Sequence, residues 1–287
     1  MKVTVVGLGK MGAPIADRIL DAGFPLSVYN RTRERTGPFA ERGATILDRP
    51  GEALAEAEVC ITMLNDDASL EQVAGEILGG ARTGTTLVDM STVSVSASER
   101  VAGAAGRAGV DYVRSPVSGN PGVVVSGNLT MIVSGPERVV GEVRPLLEAI
   151  GSKLLYVGEG ERARMAKLVL QILVGGTAEL LGEALVFGEA GGIERERLAE
   201  VINASVLGST FIGYKLEPAL RDDYSATFTT AMMIKDIDLV LERARETGVT
   251  LPFTQELRVL LDETAEGGYA DADFMALYAH RRNGGTT

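Results

Sequence analysis

The chain opens with Val3-Thr4-Val5-Val6-Gly7-Leu8-Gly9-Lys10-Met11-Gly12, followed by Ala13-Pro14-Ile15-Ala16. Four strand-forming residues run directly into G-x-G-x-x-G, and helix-forming residues follow without a gap. Each glycine has its own task in such a turn. Gly7 makes it tight, Gly9 leaves room for a pyrophosphate against the backbone, and Gly12 lets the following helix pack closely on the strand. The phosphate then rests on the N–H groups of the helix N-terminus. Gly7, Leu8, Gly9, Lys10, Met11 and Gly12 are therefore candidate dinucleotide contacts. A second apolar run, Leu26-Ser27-Val28-Tyr29, ends at Asn30, 18 residues past Gly12. The residue that reads the adenosine ribose belongs at that spacing. An acidic side chain there would bond the ribose hydroxyls of NAD, but the chain reads Asn30-Arg31-Thr32. Arg31 can fork onto a 2′-phosphate and lay its guanidinium on adenine. Asn30 and Thr32 would add neutral donors, although Thr32 could instead cap the next helix. NADP is expected ahead of NAD.

Outward from this stretch, short apolar runs alternate with helical ones to about residue 160. The runs are Val59 to Leu64, Thr86 to Met90, Tyr112-Val113, Leu129 to Val133 and Leu154 to Val157. The early ones are apolar on both faces, as in a parallel sheet covered by helices on each side. Helices are expected between them, over Ala13–Ala22 and Ala68–Leu78, each stopped by glycine. This alternation predicts a doubly wound α/β domain over residues 1–161. From Arg162 to about Ala190 the texture changes to a helix that is apolar almost all round and so must be buried on most sides. Beyond it only helical periodicity continues, which predicts an all-helical second domain over 162–287, with the long helix between the domains or between two subunits.

Composition narrows the function. Of 287 residues, 45% are hydrophobic and 23% charged, ordinary globular values that argue against a disordered chain. A net charge of −11 disfavours nucleic acid, which needs a basic face. One histidine, His280, and one cysteine, Cys60, leave no means for a Ser-His-Asp triad, a thiolate cluster or a multi-His metal site, so no metal is expected. No uninterrupted apolar run approaches the roughly 20 residues of a membrane span, and the start does not read as a signal peptide. The expectation is a cytoplasmic protein with no membrane partner. Cys60 reads as strand core and His280 as a tail residue.

Two features suggest chemistry. The stretch Ser115-Pro116-Val117-Ser118-Gly119-Asn120-Pro121-Gly122 is either a plain turn or a nest of N–H and hydroxyl donors for a carboxylate. Lys167 sits within the apolar helix, with Gln171 one turn on and on the same face. Drawn from water, a lysine loses basicity and becomes suited to proton transfer; alternatively it snorkels to the helix rim. Lys235-Asp236, read alone, is a surface pair.

In this order the pieces resemble the β-hydroxyacid dehydrogenase family, over essentially the whole chain. The family's opening G-x-G-x-M-G matches Gly7 to Gly12. Its Pro-Val-Ser-Gly loop with a later Gly-x-Leu-Thr matches Pro116 to Gly119 and Gly127 to Thr130. Its lysine falls on Lys167, and its Lys-Asp pair on Lys235-Asp236. The resemblance implies a Rossmann domain followed by an all-α domain like that of 6-phosphogluconate dehydrogenase. It implies hydride transfer between NADPH and a short aldehyde or keto acid, with Lys167 as general acid/base. Ser118, Gly119 and Asn120 would hold the substrate carboxylate, with Phe228 nearby. Met63, Leu64 and Asn65 would line the cofactor, Thr92 would lie near the nicotinamide ribose, and Lys235 would help bind the cofactor. The chain departs from the family at Gln171, where asparagine is usual, and at Asn120-Pro121 in a loop that is commonly Ser-Gly-Gly. An imine or uncharged-ketone reductase is the alternative, and a scaffold that binds NADP without chemistry a further one. The apolar helix predicts a homodimer, with a tetramer as an extension.

Overall fold

The computed structural model describes residues 1–284; the last three residues of the expected second domain lie outside them. The chain forms two compact units, Met1–Lys167 and a second starting at Leu168.

In the first unit, the apolar runs become the strands β1 (Val3–Val6), β2 (Leu26–Tyr29), β3 (Thr45–Ile46), β4 (Val59–Thr62), β5 (Thr86–Asp89) and β6 (Asp111–Arg114). They form one sheet in the order β3-β2-β1-β4-β5-β6, and every pairing is parallel. The two-residue β3 was not expected, because it carries no apolar run. Helices α1 (Gly12–Asp21), α2 (Gly37–Glu41), α3 (Asp67–Gly79), α4 (Val95–Arg107), α5 (Pro121–Val125) and α6 (Glu137–Ile150) lie in the connections. Burial on both faces explains the unbroken apolar strands. Val3, Val5, Val28 and Ile61 pack with Ile15 and Ile19 of α1 and Val143 and Leu147 of α6. On the other face, Val6, Cys60 and Leu87 pack with Leu70 and Ile77 of α3 and Val101 of α4. Strands β7 (Val117–Ser118), β8 (Thr130–Val133) and β9 (Lys153–Tyr156) make a separate three-stranded sheet. The later apolar runs are thus strands, but not of the main sheet.

Helix α7 (Arg162–Ala190) runs unbroken for 29 residues and crosses the division between the units. No uninterrupted apolar run reaches a membrane span, but by length and composition alone the helix is apolar enough to cross one, with a mean hydropathy of 1.5 over an 18-residue window. The core helix of a folded domain meets the same test, and two polar side chains show which applies here. Gln171 and Glu179 are buried and paired with Asp236 and Arg281. The second unit continues with α8 (Arg195–Ala204), α9 (Thr210–Leu220), α10 (Thr230–Thr247), α11 (Pro252–Thr264) and α12 (Ala276–Arg282). Its core joins Leu181 and Leu185 of α7 to Met233, Ile237, Leu257, Leu261 and Tyr278.

Candidate active site

The glycine turn is closed at both ends and open in the middle. Gly7 has φ +100°, and a Cβ there would lie 2.3 Å from the Met63 carbonyl oxygen. A Cβ on Gly12 would lie 1.9 Å from the Gly7 oxygen, whereas one on Gly9 would meet nothing within 4 Å. Backbone contact therefore demands glycine at the first and third positions, while the second faces free space at the N-terminal end of α1. A pyrophosphate approaching the backbone needs that cradle, and the residues fit it.

Asn30 does something the sequence did not suggest. Its Oδ1 accepts from Leu8 N at 2.9 Å, and its Nδ2 donates to the Thr32 carbonyl at 2.8 Å. The carboxamide ties the glycine turn to the end of β2 rather than standing as a neutral donor to a 2′-phosphate. Thr32 is exposed, and its side chain makes no capping bond. Arg31 is exposed beside it. Arg33 is paired with Asp48 at 2.6 Å.

The ends of β4 and β5 are bound together by Asp89, which is fully buried. Its Oδ1 accepts from Thr62 Oγ1 at 2.7 Å and from Ser91 Oγ at 2.6 Å. Ser91 Oγ in turn accepts from Leu64 N at 2.9 Å. The Met63–Asn65 and Ser91-Thr92 segments, both expected against the cofactor, are thereby fixed to each other. The second Asp89 oxygen accepts from Arg164, in the first turn of α7. Burial alone would lower the Arg164 pKa, but Asp89, Tyr112 and Glu161 together outweigh it and leave it raised. Burial, then the Asp89 charge, pushes the neighbouring Tyr112 phenol up to about 12, so it stays a neutral hydroxyl. Sequence reading missed Asp89 and Arg164. The signal used for Lys167, a charge in an apolar helix, was equally present three residues earlier.

The Ser118 loop is more ordered than a plain turn. Val117 and Ser118 pair antiparallel with Met131 and Thr130. Gly119 takes φ +146°, and a Cβ there would crowd Val123 and Leu129 at about 3 Å. Asn120 Oδ1 accepts from Val123 N at 3.0 Å and caps α5, with Pro121 opening the helix. Lys167, half-buried, reaches this loop from α7: its Nζ donates to the Val117 carbonyl at 3.0 Å, one residue before Ser118. Lys167 and the proposed carboxylate loop are therefore adjacent within one compact unit.

In the second unit, Gln171 is 3% exposed and its amide donates to Asp236 Oδ2. Lys235 Nζ lies 2.7 Å from the other Asp236 oxygen. Asp236 is buried and Lys235 only partly exposed, so this is not the solvated surface pair that the dipeptide suggests alone. Phe228 packs edge-on against Phe274, and Asp273 accepts from the Thr227 hydroxyl and backbone beneath it. Asp273 also holds Lys215 at 2.6 Å, and burial lowers the pKa of that lysine. Burial as a criterion would thus select Lys215 before Lys167. Its ammonium, however, is committed to Asp273 and seated 4.0 Å above the Phe274 ring.

Comparison with known proteins agrees with this geometry. Residues 2–158 match the NAD-binding domain of 6-phosphogluconate dehydrogenase, and residues 161–280 match the NAD-binding region of NADP-dependent 3-hydroxyisobutyrate dehydrogenase. An uncharacterised oxidoreductase of Bacillus subtilis is 33% identical over 96% of this chain and 98% of its own. The 2-(hydroxymethyl)glutarate dehydrogenase of Eubacterium barkeri is 31% identical over 94% of this chain and 90% of its own. The solved 3-hydroxyisobutyrate dehydrogenase of Mycobacterium tuberculosis, with L-serine, superposes with a TM-score of 0.90 at 27% identity, covering 98% of this chain and 99% of its own. With both domains matched in order and the nucleotide cradle in place, the chain belongs to the β-hydroxyacid dehydrogenase family of nicotinamide-dependent oxidoreductases.

Proposed function

We propose that this enzyme interconverts a short β-hydroxyacid and its aldehyde or keto acid, using NADP in preference to NAD, with Lys167 as the proton donor and acceptor. The observation that carries this reading is the bond from Lys167 Nζ to the Val117 carbonyl at 3.0 Å, at the lip of the Ser118 loop. A carboxylate held by the Ser118 hydroxyl and the donors of Gly119 and Asn120 would present its neighbouring carbonyl oxygen to that ammonium. When bound, the reduced nicotinamide supplies hydride to the carbonyl carbon. Lys167 delivers a proton to the oxygen, and in the reverse direction takes it from the alcohol, a role worth roughly 100- to 10,000-fold in rate.

The glycine cradle, Gly7 to Gly12, would hold the pyrophosphate, with Arg31 and Thr32 on the 2′-phosphate and Asn30 as the brace behind them. Met63, Leu64, Asn65 and Thr92 would line the nicotinamide half. Family resemblance assigns Gln171 to the catalytic site beside Lys167, Phe228 to the substrate and Lys235 to the cofactor. We also infer a homodimer through α7. Val169, Leu173, Leu180 and Phe187 fall within one stripe of the helix and are 52%, 59%, 56% and 83% exposed, too large an apolar strip for a solvated face. A cytoplasmic site of action fits a dehydrogenase that draws on a soluble cofactor.

The test is NADPH and NADH oxidation with glyoxylate, succinic semialdehyde, tartronate semialdehyde and methylmalonate semialdehyde. Turnover of at least one acid, faster with NADPH, is expected. Turnover confined to uncharged ketones or cyclic imines would overturn the acid assignment, and faster turnover with NADH would overturn the cofactor preference.

A further inference from the structure

Lys167 has no rigid side chain of its own, so its reach depends on where the first turns of α7 are held. That hold comes from the ends of three strands. Ser134, just past β8, donates to the Gly160 carbonyl at 2.6 Å and accepts from Ala163 N at 3.1 Å. Arg114, at the end of β6, donates to Glu161 from Nε at 2.8 Å. Arg164 makes the deepest attachment. It is 1% exposed, and its guanidinium donates to Asp89, to the Ser91 carbonyl at 2.6 Å, to Ser98 Oγ at 3.2 Å and to the Tyr112 hydroxyl at 3.2 Å.

Two features set Arg164 apart from an ordinary buried ion pair. It lies three residues before Lys167, so the two side chains leave neighbouring points of one helical face. Its acceptors are Asp89 Oδ2 and the Ser91 carbonyl, and the same two residues use Asp89 Oδ1 and Ser91 Oγ to fix Leu64 N and the Ser91-Thr92 segment. One buried knot therefore joins two of the segments expected at the cofactor to the helix that carries the acid.

We propose that Arg164 is a positioning residue for Lys167: its bonds to Asp89, Ser91, Ser98 and Tyr112 together set the height of α7 against the β5 end and so aim the ammonium at the Val117–Ser118 loop. This inference rests on the reading of Lys167 as the general acid. Lysine at position 164 would keep the charge but lose the planar fork, and a shift of about 1 Å at a reacting centre can cost about 100-fold.

The experiment uses the full chain and four variants, Arg164→Lys, Tyr112→Phe, Ser98→Ala and Lys167→Ala. Melting temperature, NADPH affinity by fluorescence, kcat, KM and the isotope effect on kcat with deuterated NADPH are measured for each. Acetylation of Lys167 by acetic anhydride in the cofactor-free protein, read by mass spectrometry, gives a readout that needs no turnover. For Arg164→Lys the expected result is kcat down by about 30-fold, KM and NADPH affinity within about threefold, and a larger isotope effect. Lys167 acetylation should rise severalfold as its bond to Val117 loosens. Wild-type kcat, isotope effect and acetylation in a folded Arg164→Lys protein would overturn the proposal, whatever the melting temperature does. Should that variant not fold, Tyr112→Phe and Ser98→Ala decide, since each removes one outer contact and leaves the Asp89 pair. A fall in kcat with faster Lys167 acetylation in either supports the proposal, and wild-type values in both refute it. Wild-type turnover by Lys167→Ala would instead overturn the acid assignment itself, and this inference with it.

Discussion

At the scale of single residues, Gly9 and Gly12 separate what the nucleotide turn needs for folding from what it needs for binding. A methyl at Gly12 would enter the Gly7 carbonyl, and backbone cannot swing aside. Gly12→Ala should cost about 1–3 kcal/mol of stability. Gly9→Ala has open space around it, so it should melt close to the wild type yet bind NADPH at least tenfold more weakly. Thermal melts and fluorescence titration on the two variants check this, and equal binding by Gly9→Ala would remove the cradle reading. Arg31→Ala should raise the KM for NADPH by about 10- to 100-fold, the worth of hydrogen bonds to a charged group, while leaving NADH kinetics alone. Such residues were legible because the motif that names them is contiguous. Arg164 was not, since its partner Asp89 lies 75 positions away and only the fold brings them together. The brace from Asn30 to Leu8 spans 22 positions and was hidden for the same reason.

At the scale of elements, α5 shows how one side chain can belong to a loop and a helix together. The Asn120-Pro121 departure from the family's usual loop builds an N-cap and a first helical residue. Asn120→Ala should cost about 1 kcal/mol, and Asn120→Gly only a few tenths. If Asn120 acts only as a cap, KM for the acid substrate should stay within about twofold in the glycine variant; a larger rise would mean that its amide also touches the carboxylate. Steady-state kinetics on both variants distinguish the two. The six parallel strands were foreshadowed except β3, and α7 was foreshadowed along its full length, because both patterns rest on local periodicity. The splitting of the Ser118 loop into β7 and α5 was not, because strand pairing with β8 and a two-residue cap leave little periodic trace. Gln171 was seen as a neighbour of Lys167, whereas its capture by Asp236 depends on α10 packing beside α7.

At the scale of the whole molecule, the exposed strip on α7 sets the expected assembly. Light scattering at micromolar concentration should give twice the chain mass, and Leu180→Asp or Phe187→Asp should shift the protein toward monomer. A wild-type monomer under those conditions would contradict the inferred dimer. The chemistry turns on Lys167. The most direct test is the comparison of wild-type protein with Lys167→Ala, with NADPH binding and carbonyl reduction measured on the same preparations. NADPH affinity should stay within about threefold while kcat falls by at least 100-fold, the share that a positioned general acid supplies. A variant that binds NADPH and turns over at the wild-type rate would show that the proton comes from elsewhere.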